Sequence, residues 1–192
     1  LKDKCIVYSF GYNFIKKFSD GKGNAAKVKF VIQNKSDNYY LVARADKAGV
    51  YQVTGKSATE EGATKFSPTA DGKLIINGIE GDEYGFTETH SDTGYSILKE
   101  EIIVKITSAK ADITPGKDKP SVLMTSASAI VDGTKATMTK QGESENAYVN
   151  MEVTNHKQFL LPMTGGRGTY ALIIAGVVIA GCGFMIIRKN KA

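Results

Sequence analysis

Three polar residues stand on strand faces that are otherwise apolar, a placement that marks them as candidates for chemistry. Alternation from Tyr8 to Phe18 puts Tyr8, Phe10, Tyr12, Phe14, Lys16 and Phe18 on one face, and Ser9, Gly11, Asn13, Ile15 and Lys17 on the other. Lys16 is therefore the polar exception on an aromatic face. Around Tyr84 the same period groups Tyr84, Phe86 and Glu88, and near the end of the chain it groups Val149, Met151, Val153 and Asn155. Burial among apolar groups disfavours an ammonium and a carboxylate alike, so ionisable residues in such places are candidates for a perturbed, reactive state. The ordinary reading of each residue is plainer. A long charged side chain at a strand end reaches back to water, and an Asn there bonds a turn. Three such exceptions in one domain strengthen the chemical reading.

The elements that must position them are short segments rich in Val, Ile, Tyr, Phe and Thr, separated by Gly, Asp, Asn or Ser. This pattern predicts antiparallel strands over Ile6–Phe18, Lys27–Gln33, Asn38–Ala45, Val50–Thr54, Lys73–Asn77, Glu83–Thr89, Glu101–Thr107, Val122–Val131, Thr134–Met138 and Asn146–His156. Asp132-Gly133 between apolar runs is a hairpin-turn signal, and Thr114–Ser121, which holds two of the four prolines, reads as a loop. No convincing amphipathic helix precedes residue 170. The expected fold class is all-β, an immunoglobulin-like or prealbumin-like β-sandwich, followed by a single C-terminal transmembrane helix.

Composition narrows the function classes. The formal net charge of +5 comes mostly from the C-terminus: without Arg167, Arg188, Lys189 and Lys191, the 25 basic residues fall to 21 against 20 acidic ones. Nothing before Thr164 concentrates a basic stripe, so no nucleic-acid partner is expected. Cys5 and Cys182 are too far apart in context to pair, Cys182 lying within the predicted span. His90 and His156 lack a Cys or Ser partner, and no metal-ligand or cofactor pattern is present, so neither an enzyme activity nor a cofactor is expected.

The last part of the chain carries its own order of parts. Leu161-Pro162-Met163-Thr164-Gly165 is followed by an apolar run from Tyr170 to Ile187 and then by Arg188, Lys189, Asn190, Lys191 and Ala192. As a helix the run would be about 27 Å long, close to the roughly 30 Å of a hydrocarbon core. The basic tail at 188–192 should stay in the cytoplasm, leaving the rest outside. Pro162 holds its own φ and biases Leu161 to an extended form, as a segment lying in an enzyme groove requires. This arrangement resembles the L-P-x-T-G wall-sorting signal of Gram-positive surface proteins. The resemblance implies that a sortase transpeptidase cleaves between Thr164 and Gly165 and passes the acyl group to an amine.

The run TADGKLIINGIEGDEYGFTET from Thr69 to Thr89, continuing to Gly94-Tyr95, resembles the signature of SpaA-like pilin domains, also called the collagen-adhesin B-type repeat. Upstream, Lys16 followed by Asp20-Gly21 and Val28-Lys29-Phe30 resembles that family's first-strand lysine, glycine turn and second strand. Downstream, Val153 to Gly165 resembles its closing strand and sorting motif. The resemblance covers roughly residues 10 to 168 and implies an intramolecular isopeptide bond between Lys16 and Asn155, with Glu88 as proton shuttle. A protonated Glu88 is expected to donate to the Asn155 carbonyl and then help ammonia leave. Lys17 competes for the amine role and Asn150, more weakly, for the amide role. The stretch after Glu88 departs from the family's Ala-Pro, reading His90-Ser91-Asp92-Thr93 before Gly94-Tyr95.

The implied organisation is the end of a preceding domain at 1–9, a SpaA-like pilin sandwich at 10–157, a sorting tether at 158–169, the span at 170–187 and the tail at 188–192. A chain with such a signal must be exported, so the sequence is expected to be the C-terminal portion of a longer one. The expected function is a structural subunit of a surface pilus or fimbria, attached covalently to the cell wall or the next subunit. Its partners would be a sortase, a peptidoglycan precursor or a neighbouring pilin lysine, the membrane before sorting, and a host-surface ligand met by upstream domains. The alternatives are the stalk of a wall-anchored adhesin and, behind it, that of a wall-anchored enzyme.

Overall fold

The computed structural model describes residues 9–112, 122–141 and 144–158, all within a first compact unit that ends at Gln158. Residues 1–8, the prolines expected in a loop at 114–121, and the tether, span and tail after Gln158 lie outside the described residues. Among the described residues no helix is long and apolar enough to cross a membrane.

The described residues are all-β apart from one 3-10 turn. The strands are β1 (Phe10–Phe18), β2 (Lys29–Asn34), β3 (Tyr39–Lys47), β4 (Val50–Ser57), β5 (Lys73–Ile79), β6 (Glu83–His90), β7 (Ile102–Asp112), β8 (Val122–Val131), β9 (Thr134–Ala136), β10 (Met138–Gln141) and β11 (Ser144–Asn155). The second strand starts later than alternation predicts because Ala25–Lys27 form the 3-10 turn, which Asn24 caps by accepting the Ala26 N–H at 3.0 Å. Asp132 and Gly133 have φ of 46° and 76°, the left-handed pair that a two-residue hairpin turn between β8 and β9 requires.

The strand order is β10-β11-β1-β5-β4-β3-β2-β6-β7-β8-β9. Its two edges are consecutive in the chain, separated only by Thr137. The single strand predicted over Thr134–Met138 is thus divided: its first half pairs with β8 and its second with β11. By changing partners there, the chain closes the sheet on itself into a barrel-like sandwich with no wide open edge between β8 and β11.

Aromatic rings fill the space between the two sides. Tyr12 meets Phe86 edge-on at 4.7 Å and Phe14 meets Phe30 at 5.1 Å, although β1 is not a sheet neighbour of either β6 or β2. Each such pair adds about 0.5–1.5 kcal/mol beyond the burial of its area. These contacts press β1 against β6, which is what puts Lys16 opposite Glu88.

The first and last strands are immediate neighbours and run parallel, with Lys16 opposite Val153 and Phe18 opposite Asn155. On the other side of β1, the Lys16 N–H donates to the carbonyl of Gly72 at 2.8 Å. Gly72 has φ +92°, and a Cβ there would stand 2.1 Å from the Lys16 carbonyl oxygen, so this turn accepts only glycine without displacing β1.

Candidate functional site

Lys16, Glu88 and Asn155 meet in the interior, 2%, 5% and 1% exposed. Strand alternation turns each inward: Phe14, Lys16 and Phe18 are buried while Lys17 is exposed, and on β6 Tyr84, Phe86 and Glu88 are buried with Thr87 outside. The lysine enters diagonally, its side chain running along β11 from the level of Val153 to that of Asn155.

The geometry is that of an amine held on an amide. Lys16 Nζ donates to Asn155 Oδ1 at 2.5 Å. The amide nitrogen donates to Glu88 Oε1 at 2.5 Å and to Ser91 Oγ at 2.7 Å. Glu88 Oε2 lies 3.8 Å from Lys16 Nζ and accepts the backbone N–H of Leu98 at 3.1 Å. Glu88 therefore sits on the amide nitrogen, not on the carbonyl oxygen to which a protonated Glu88 was expected to donate. The oxygen is taken by Lys16, which donates to it.

Burial pulls the Lys16 amine down from its usual 10.5 to about 8, against the opposing pull of the Glu88 charge. At pH 7 about a tenth of such an amine is neutral, roughly 300 times the fraction of an ordinary lysine. A neutral Nζ so close to the amide is placed to attack its carbon, with proximity supplied by the fold. Fixed strands leave no substrate-binding step.

The two competing residues lie elsewhere. Lys17 is on the outer face, its side chain 54% exposed and paired with Glu152 at 2.6 Å. Asn150 faces out from β11 and bonds Asn13 at 2.9 Å and Thr139 at 2.6 Å. His90 and His156 are both exposed. Leu161, Pro162, Met163, Thr164 and Gly165 lie outside the described residues.

Two features went unforeseen in the sequence. Ser91 joins the cluster from the loop after β6, 8% exposed, with nothing but the irregular His90–Thr93 stretch to mark it. Separately, carboxylates of Asp37, Glu80 and Asp82 come within 4.8 Å of one another where the β2–β3 and β5–β6 turns meet, although no metal-ligand pattern is present in the sequence. Asp82 there accepts from Asn34 at 3.0 Å and Glu80 lies 3.9 Å from Lys56, so both have protein partners.

No protein-family model matches the chain, and no curated protein matches it. Solved structures do. The group B streptococcus pilus 2b backbone protein superposes with a TM-score of 0.52 at 22% identity, over 83% of this chain and 45% of that one. The domain shares the fold of that pilus backbone protein. Also similar are the C-terminal domain of the shaft pilin SpaA from Lactobacillus rhamnosus GG (TM-score 0.43, 18% identity, 78% of this chain and 98% of that) and BcpA, the major pilin subunit of Bacillus cereus (0.39, 19%, 78% and 29%). The chain thus spans a little under half of the streptococcal backbone protein. Within this pilin fold the Lys16–Asn155 pair joins the first described strand to the last, enclosing nearly all of the domain.

Proposed function

We propose that this chain is a structural subunit of a Gram-positive surface pilus, locked by a Lys16–Asn155 isopeptide bond and attached through Thr164 by a sortase. The observation that carries the reading is the buried contact of an amine and an amide on neighbouring strands with a carboxylate from the facing strand β6. Neutral Lys16 attacks Cγ of Asn155, forming a C–N bond and a tetrahedral centre. Glu88 receives a proton from Nζ and delivers one to Nδ2, the C–Nδ2 bond breaks, and ammonia leaves. Atoms balance as amine plus primary amide giving secondary amide plus ammonia. The step happens once per chain, so it is a maturation step and not a turnover activity.

The L-P-M-T-G motif with its apolar run and basic tail supports the attachment half of the proposal. The sortase would cleave after Thr164 and join it to a peptidoglycan precursor or to a lysine of the next subunit. Until then the span would hold the chain in the membrane, and afterwards the protein would stand on the cell surface.

The test is the intact mass of residues 1–164. It should be one ammonia below the calculated value, with a digest yielding one branched peptide containing Lys16 and Asn155. A full mass overturns the cross-link.

A further inference from the structure

We propose that Ser91 is a second catalytic group of the cross-linking reaction, holding the Asn155 nitrogen that leaves as ammonia. This rests on the cross-link reading above. An amide nitrogen has two hydrogens, and the structure gives each an acceptor: Glu88 Oε1 at 2.5 Å and Ser91 Oγ at 2.7 Å. With Lys16 Nζ on the oxygen, the amide is held at three points. Rotating it by half a turn would set its NH2 group against the lysine, donor to donor, and leave Ser91 and Glu88 facing an oxygen. Lys16 and Glu88 thus set the orientation in which the carbonyl faces the amine, and Ser91 holds the nitrogen in it.

Its larger effect comes later in the reaction. In the resting amide the nitrogen is neutral and planar. When the tetrahedral centre breaks down, Nδ2 takes a proton from Glu88 and becomes ammonium-like before the C–N bond opens. A hydrogen bond from a charged donor is roughly twice as strong as one from a neutral donor, so Ser91 Oγ stabilises the departing group more than the starting amide. Interactions of that kind accelerate a reaction.

The loop is built to hold the hydroxyl there. Asp92, next to Ser91, accepts the backbone N–H of Asn24 at 2.8 Å and that of Thr93 at 2.8 Å, and pairs with Lys27 at 2.8 Å. Those contacts hold the Asp92 carboxyl down at about 2, the Asn24 N–H contributing most. Ser91 is thereby fixed between the end of β6 and a pinned turn, in the stretch where this chain departs from the Ala-Pro of the family pattern.

The experiment follows cross-linking over time. The full chain is made by cell-free translation, quenched in acid at intervals and weighed intact, for the natural sequence, Ser91→Ala and Ser91→Thr. Loss of a hydrogen bond to a charged group should slow Ser91→Ala about ten- to a hundred-fold, with an unchanged circular dichroism spectrum. Ser91→Thr, which keeps the hydroxyl, should stay within a few-fold of the natural rate. If Ser91→Ala reacts at the natural rate, or if its slowing comes with a lost spectrum or is not rescued by Thr, the Ser91 role is wrong while the cross-link stands. If the natural chain itself keeps its ammonia, the cross-link reading falls and the role of Ser91 falls with it.

Discussion

Asn155→Ala traps the domain in its unlinked state with Lys16 still buried, and the cost of that burial then becomes readable as a dependence of stability on pH. Lys16 is held at about 8 in the folded domain against an ordinary 10.5. At about 1.4 kcal/mol per pH unit this is about 3 kcal/mol of destabilisation. Below about pH 8 the lysine is charged in both states and the whole penalty is present. Between about 8 and 10.5 the unfolded chain keeps a proton that the folded one has released, so stability rises with pH, and above that window the penalty is gone. Removing Asn155 also removes the oxygen that Lys16 donates to, which pushes the amine further down and widens the window. The assay is urea unfolding at intervals from pH 7 to 10.5 for Asn155→Ala and for Lys16→Met/Asn155→Ala. Other titrating groups cancel in the difference, which should shrink by about 3 kcal/mol across the range. The cross-linked natural domain, whose Lys16 nitrogen is an amide, should lack this rise. A difference that is flat with pH refutes the buried-amine argument.

Glu88→Ala should leave a folded domain with its full mass. Losing a covalent loop of 139 residues costs about 5 kcal/mol by chain entropy, so calorimetry should find Tm lower by roughly 10–20 °C; an unchanged Tm contradicts the enclosed loop. Gly72→Ala forces a Cβ against the Lys16 carbonyl in a left-handed turn, and should cost about 1–3 kcal/mol in urea unfolding and delay the mass loss by shifting β1. Natural stability with a natural reaction rate would show that β1 tolerates the shift. Thr164→Ala should leave the protein in the membrane fraction of the producing cell instead of the wall fraction, read by fractionation and blotting, and wall attachment despite the change would discard the sorting reading.

What could be read from the sequence depended on the range of the interaction involved. The inward placement of Lys16, Glu88 and Asn155 was legible because strand alternation is local: one residue's step moves a side chain to the other face, which also separates Lys16 from Lys17. Asp132-Gly133 was legible because a left-handed pair has few residue choices. The division of 134–141 between two partners was not, since nothing local says which strand each half will meet. Ser91 was hidden because its partner lies 64 residues away and a serine in a polar loop looks like any other. The same holds for Asp37, Glu80 and Asp82, which two separate turns bring together. That Glu88 meets the amide nitrogen and not its oxygen is an atomic orientation, set by where Lys16 ends.

Placing the proposed cross-link at the far end of two parallel strands meets two demands at once. Load entering beyond Asn155 and leaving at Phe10 pulls β11 and β1 in opposite directions along their lengths, so an unlinked domain resists through non-covalent contacts alone, first of all the hydrogen bonds between these two strands. With the proposed bond, the covalent route runs from Phe10 to Lys16, about 20 Å of extended chain, and straight to Asn155, leaving residues 17–154 outside the load. The mechanical demand puts the junction where β11 exits, at a strand end near water. The chemical demand puts it in the interior, because only burial pulls the amine low enough to react. A short side chain could not satisfy both. Lys16 does, because its backbone sits level with Val153 in the packed sheet while its amine reaches Asn155 at the strand's last position, under the lid formed by Glu88 and Ser91.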